Sequence, residues 1–134
     1  MAEKKSLSTA KKRELIIEAL KEKKGKQIST IDLRKINNSL SDHFIICHGE
    51  STTQVSALAE SVERKLKKSK KTHVHHIEGL QNCQWVLMDY FDILVHIFIE
   101  DQRSFYNLEE LWADGILERF EDEKQEKRYG RFKE

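Results

Sequence analysis

Trp85-Val86-Leu87-Met88-Asp89-Tyr90-Phe91-Asp92-Ile93-Leu94-Val95-His96-Ile97-Phe98-Ile99 is the stretch that decides the fold. Two apolar runs of strand length flank the turn from Asp89 to Asp92, which predicts an antiparallel hairpin with strands over Gln84 to Met88 and Ile93 to Ile99. Side chains alternate across a strand, so Trp85, Leu87 and Asp89 share one face while Val86 and Met88 share the other. Both faces are mainly apolar, and such a sheet needs two covers. Helices supply one cover. The other is further helix, a partner protein or a second copy of the chain.

Upstream, Asp42 to Cys47 is an apolar run of strand length, and Ile28 to Leu33 is a short β-branched one; the turn-like Asn37-Asn38-Ser39 between them predicts a pair. Gly49 then interrupts. Ser51 offers a capping hydroxyl with Gln54 three residues on, ahead of Val55, Leu58, Ala59, Val62 and Leu66, an i, i+3, i+4, i+7 stripe that predicts a helix to about Lys68. Thr9 to Lys24 reads as an amphipathic first helix stopped by Gly25, and His73 to Ile77 as a weaker strand. Downstream, the chain turns after Glu100-Asp101, and Asn107 with Glu110 predicts a capped short helix through Leu111 and Trp112. Ile116, Leu117 and Phe120 lie in a charge-dense tail, helical or frayed. The fold class expected is α/β (α+β), a mixed β-sheet of about five strands with helices packed on it. Residues 1–112 form a single domain including the N-terminal helix, and 113–134 form the charged tail. The core is expected between about Gln27 and Trp112.

Composition narrows the function. The 134 residues suffice for one domain. A formal net charge of +1 gives no general attraction to nucleic acid or membrane, although residues 1–26 hold nine Lys/Arg against four Asp/Glu. Cys47 and Cys83 lie in apolar segments, where thiols behave as small buried hydrophobes and fit a reducing compartment. No stretch approaches a membrane span, and the first residues lack the pattern of a signal or transit peptide. A cytoplasmic protein is expected.

Three stretches together resemble the ribosomal silencing factor family, RsfS or Iojap. The first is Ser39-Leu-Ser-Asp42-His-Phe-Ile-Ile-Cys47-His-Gly49-Glu-Ser51-Thr-Thr-Gln54-Val-Ser-Ala57, similar to the family's Ser-Asp-aromatic strand followed by Gly-x-Ser-x-x-Gln. The second is Trp85 to Phe98, and the third is Arg103-Ser-Phe-Tyr106-Asn-Leu108-Glu-Glu-Leu111-Trp112. The resemblance implies a fold like a small nucleotidyltransferase domain, a homodimer, and docking on ribosomal protein L-fourteen of the large subunit that blocks joining of the small subunit. Some members of the family it resembles are tied to large-subunit maturation. Position 91 is Phe where the family's turn has Gly, and position 43 is His where Tyr is usual. A Phe at position 91 bears on the turn geometry, because Gly tolerates positive φ and Phe rarely does.

A nucleotidyltransferase-like fold raises the question of catalysis. Such enzymes need two carboxylates two residues apart on one strand face to hold metal ions. Asp89 and Asp92 are three apart across a turn, and Ile93 to Ile99 holds no acid. A non-enzyme without cofactor is expected, with residual nucleotidyltransferase activity and subunit biogenesis as the rival readings. His73, His75 and His76 lack a second ligand pair, so no metal site is expected. The partner-binding set expected instead is Trp85, Tyr90, Tyr106 and Trp112 as rigid anchors, Leu87 and Leu108 beside them, and Asp89, Asp92, His96, Glu109 and Glu110 facing basic groups. His96, set among apolar neighbours, also reads as a buried, satisfied histidine. Lysines 21–26 and 67–71 are candidates for a peripheral rRNA contact.

Overall fold

In this computed structural model, which describes residues 7–36 and 41–122, the chain runs α1 (Thr9–Glu22), β1 (Lys26–Asp32), β2 (His43–Gly49), α2 (Thr52–Lys68), β3 (His76–Glu78), β4 (Trp85–Asp89), β5 (Ile93–Ile99), α3 (Glu100–Tyr106), α4 (Leu108–Leu111), β6 (Ile116–Arg119). The predicted hairpin is present, with Trp85 opposite Phe98 and Asp89 opposite Leu94. The mixed sheet has six strands in the order β3-β4-β5-β2-β1-β6. Its one parallel pair joins β2 to β5, from His43 beside Ile93 to Gly49 beside Ile99.

Alternation sorts the strand residues as the sequence requires. Val86, Met88, Ile93, Val95, Ile97, Ile45 and Cys47 pack under α1 and α2, whereas Phe44, Ile46, Leu94 and Phe98 pack on the opposite face with Leu108. Ser51 caps α2 by accepting from the Gln54 N–H, and the Gln54 side chain accepts from the Glu50 N–H while donating to the Lys23 and Lys24 carbonyls. One glutamine thereby fixes the start of α2 against the end of α1. Gly79, at φ +92°, lets the loop after β3 pass the Trp85 carbonyl, with which any Cβ would collide.

Six expectations need correction. The core is not confined to residues 27–112, because Leu15, Ile16, Ile17, Ala19 and Leu20 of α1 are buried in it. The segment 116–119 is a strand, not a helix or a frayed end: β6 pairs antiparallel with β1, so the domain extends past residue 112 and the sheet gains a sixth strand. A helix, α3, follows β5 directly where a turn is expected, its first turn carrying Glu100 and Asp101, which suit the positive end of the helix dipole. Asn107 does not cap α4 through its side chain; it sits at φ +45° as the left-handed stop of α3, and its amide donates to Glu110. β3 is shorter and later than His73 to Ile77, and β2 continues through Gly49. The turn-like Asn37-Asn38-Ser39 and residues 123–134 of the tail lie outside the described residues.

Candidate functional site

The two faces of the sheet are closed unequally. α1 and α2, 14 and 17 residues long, cover the first completely. Among the described residues the second receives only α3 and α4, of 7 and 4 residues, and the gap is lined with aromatic rings. Phe44, His96 and Phe98 form a buried floor, with Phe44 and His96 centroids 4.6 Å apart. Trp85 lies over it, 4.9 Å from Phe98 and 4.6 Å from Tyr106, and Trp112 meets Phe44 edge-on at 5.5 Å. Trp85, Leu87 and Trp112 are half-buried. Tyr106 is 42% exposed, and at the rim Phe105 and Leu111 are 76% and 70% exposed. A contiguous apolar patch with large rings held edge to edge is the surface type that marks a protein interface.

Two polar devices hold this face in shape. The Trp85 indole N–H donates to His96 Nδ1 at 3.2 Å, which fixes both the indole and the imidazole tautomer. Burial pushes His96 down to about 4, so it is neutral and able to accept. The second device is Arg103, buried on α3. Its guanidinium donates to the Lys26 carbonyl at 3.2 Å, to His48 Nδ1 at 3.0 Å and to Glu109 of the next helix. Burial pushes the Glu109 carboxyl up, but hydrogen bonds and charge from Arg103, with Ser29, more than offset this and hold it below its usual range. Arg103 thus fastens α3 and α4 to β1 and β2 through one buried charge pair.

This geometry divides the sequence-derived residues. Trp85, Leu87, Tyr106 and Trp112 come together on the half-covered face, and Asp89 lies further along β4, where its carboxylate accepts from the Phe91 N–H at 2.8 Å. Tyr90, His96 and Leu108 are interior residues, Tyr90 on the opposite face beneath α1 and α2, so none is a surface anchor. Asp92 is engaged internally: burial raises its carboxyl, yet Lys12 at 2.8 Å and the Thr9 hydroxyl bring it below the ordinary range. Glu109 is likewise committed, to Arg103, while Glu110 stays exposed. Phe105 and Leu111 are additions. Adjacent Phe105 and Tyr106 cannot share one side of a helix, so one must project, a signal legible in the sequence.

The carboxylate Asp92 is held far from Gly49. Gly49 lies beside Ile99 at one end of β5, and Asp92 precedes Ile93 at the other. Seven extended residues separate them, a strand length of about 20 Å. Among the described residues no group of three or more His, Cys, Asp or Glu is placed to hold a metal ion. His76 pairs with Glu78 at 2.9 Å, and His75 stacks on Phe91. Cys47 is fully buried and its thiol is pushed up to about 12 by that burial, which makes it unreactive. Cys83 donates to the Leu80 carbonyl.

Comparison with known proteins adds ancestry to this geometry. A family model described as "Ribosomal silencing factor during starvation" matches residues 6–134. A "Ribosomal silencing factor RsfS" of Halalkalibacterium halodurans is 36% identical over 102 residues, covering 76% of this chain and 86% of its own. One from Bacillus subtilis is 38% identical over 99 residues, covering 74% and 82%. The crystal structure of a Chromobacterium violaceum protein superposes with TM-score 0.75 at 37% identity, covering 80% of this chain and 88% of that one.

Proposed function

Because the chain belongs to the ribosomal silencing factor family, whose members are ribosome-associated factors that silence translation, we propose that it docks on the large ribosomal subunit and sterically prevents the small subunit from joining. The docking face is the half-covered side of the sheet, with Trp85, Leu87, Tyr106 and Trp112 at its centre and Phe105 and Leu111 at its rim. Ribosomal protein L-fourteen is the proposed contact, in the cytoplasm. The observation that supports the proposal is the unequal closure of the sheet: the aromatic layer over Phe44, His96 and Phe98 is assembled, yet among the described residues nothing covers its outer surface. Preorganised rings lose little entropy on docking, so such a face binds without remodelling.

No turnover is required by this mechanism. Occupancy of the subunit surface sets the degree of silencing, so the control is the concentration of factor relative to free large subunits. Purified protein is expected to co-sediment with separated large subunits, not small ones, and to reduce assembled ribosomes when added before mixing. Unchanged assembly at saturating protein refutes the mechanism, and equal sedimentation with both subunits refutes the partner. We also propose a homodimer in solution, for which light scattering should return about twice the 15.8 kDa chain mass; a mass of one chain at micromolar concentration rules it out.

A further inference from the structure

Phe91, at the tip of the hairpin, combines two costs that a glycine would avoid. Its backbone is left-handed at φ +73°, a region that bulky side chains rarely occupy. Its phenyl ring is 67% exposed to solvent. The conformation is nonetheless well defined: Asp89 Oδ1 accepts from the Phe91 N–H at 2.8 Å, and the Asp92 N–H bonds to the Tyr90 carbonyl at 2.9 Å. The ring leans on the His75 imidazole, centroids 4.2 Å apart and planes at 32°, and His75 is itself fastened by its N–H to the Asp89 carbonyl. The result is a fixed two-ring stack standing in water. Backbone strain that the surrounding structure holds in place is concentrated at sites of use.

Its electrostatic surroundings define what it is suited to meet. The segment leading into His75 presents Lys67, Lys68, Lys70, Lys71 and His73, all exposed, around a turn closed by Thr72 bonding back to the Leu66 and Ser69 carbonyls. Lys70 and Lys71 are both left-handed, at φ +55° and +49°. Of the acids at this end, Glu78 pairs with His76 and Asp92 with Lys12 and Thr9, while Asp89 accepts from the Phe91 N–H and retains its charge. The exposed lysines thus lie on the segment that leads into His75, while Asp89 keeps its charge at the base of the tip.

An exposed aromatic stack whose His75 ends a lysine-rich exposed segment fits an unpaired nucleotide, whose base stacks on the rings while its phosphates meet ammonium groups of that segment. A protein partner would instead call for further apolar surface around the ring, and the ring neighbour here is the His75 imidazole on a lysine-rich segment. We infer that the Phe91–His75 tip is a stacking site for single-stranded RNA. On the proposed function, on which the identity of the RNA rests, this is an unpaired segment of large-subunit rRNA about one strand length, ~20 Å, from the aromatic docking face.

The test measures fluorescence anisotropy of a labelled ten-nucleotide oligoadenylate and of an RNA duplex of equal charge, with the full chain and with Phe91→Gly, His75→Ala and Lys70→Ala/Lys71→Ala. Phe91→Gly relieves the backbone and keeps the fold. It is expected to weaken oligoadenylate binding about tenfold while leaving duplex binding unchanged. The double lysine variant should weaken both RNAs and flatten the salt dependence. Unchanged oligoadenylate binding by Phe91→Gly overturns the inference. The same variants are then sedimented with large subunits: loss of subunit affinity alongside loss of oligoadenylate binding supports an rRNA contact. Loss of subunit affinity with oligoadenylate binding intact overturns it in favour of a protein contact. Failure of the unaltered chain to sediment with large subunits refutes the ribosomal reading alone, since the oligonucleotide result judges the tip independently.

Discussion

Replacing Trp85 by Ala separates docking from folding, and the structure sets both magnitudes. The indole is half-buried between Phe98 and Tyr106, so about half of the ~3–5 kcal/mol cost of truncating a fully buried Trp applies, roughly 2 kcal/mol. Removing its N–H also leaves His96 Nδ1 without its donor in the interior, about 1 kcal/mol more. A loss of about 3 kcal/mol lies within the stability of an ordinary domain, so the variant should fold with its melting temperature lowered by roughly 10 °C. Docking should suffer as well. Central aromatic anchors contribute about 2 kcal/mol or more to an interface, which is roughly a 30-fold rise in Kd for large subunits. The companion Trp85→Phe retains the ring stack and loses only the N–H, so it should bind within a few-fold of the unaltered protein. Sedimentation titrations with separated large subunits measure Kd, and circular dichroism confirms folding. A folded Trp85→Ala that binds as tightly as the unaltered chain would refute the placement of the docking face.

Three further outcomes follow from the interior and the tip. Glu109→Gln removes the charge paired with buried Arg103 and should cost about 3–5 kcal/mol, read as a lowered denaturant midpoint, because the guanidinium is left buried without its counter-ion; an unchanged midpoint would show that Arg103 is held by its neutral acceptors alone. Stability should also fall as pH drops from about 6.5 towards 4: the unfolded chain protonates His96 near 6.5 while the folded chain resists until about 4, a linkage worth about 3 kcal/mol that is intact above 6.5 and lost below. His43 and His48, also lowered by burial, act in the same direction, whereas the lowered carboxyls of Asp32, Asp92 and Glu109 begin to matter only further down; His96→Leu should flatten the first part of the decline in urea midpoints, and a curve that keeps its shape would remove His96 from the account. Phe91→Gly should raise stability by about 1 kcal/mol, since glycine adopts positive φ freely, and a lowered urea midpoint would mean that the contact with His75 outweighs the strain.

What the sequence reveals and what it hides divides along physical lines. The hairpin and α2 are legible because each carries a period and a stop: the alternation of Trp85 to Met88, and the stripe from Val55 to Leu66 behind the Ser51 cap. α3 is not, since Glu100-Asp101-Gln102 offers no apolar stripe and Ile99 no capping oxygen; the helix is held by what Arg103 reaches. β6 is invisible for a related reason. All four of its residues are exposed, so nothing alternates, and the strand exists only through pairing with the edge of β1. In the candidate site the aromatic anchors are recognisable by type, but the fates of Asp92 and Glu109 are set by Lys12, 80 residues away, and by Arg103 on the preceding helix, which no local pattern discloses.

The contrast between the two sides of the sheet gives the docking face its character. A face closed by long helices is stable but unavailable, and one left bare would expose Phe44, Ile46 and Phe98 to self-association. Two helices of 7 and 4 residues occupy the middle ground. Helices so short do not persist in water on their own, so their order depends on tertiary contacts, and here those converge on one guanidinium joined to Lys26, His48, Ser29 and Glu109. Tyr106 and Phe105 ride on α3, Leu111 on α4 and Trp112 just beyond it, so the arrangement of the outer rings is governed by a charge pair that never meets the partner. With the proposed docking face, affinity for the ribosome would thereby be adjustable from inside the molecule. Substitutions around Arg103 should change how long the complex lasts more than how fast it forms, because they alter the order of the docking surface and leave its charge and accessible rings unchanged.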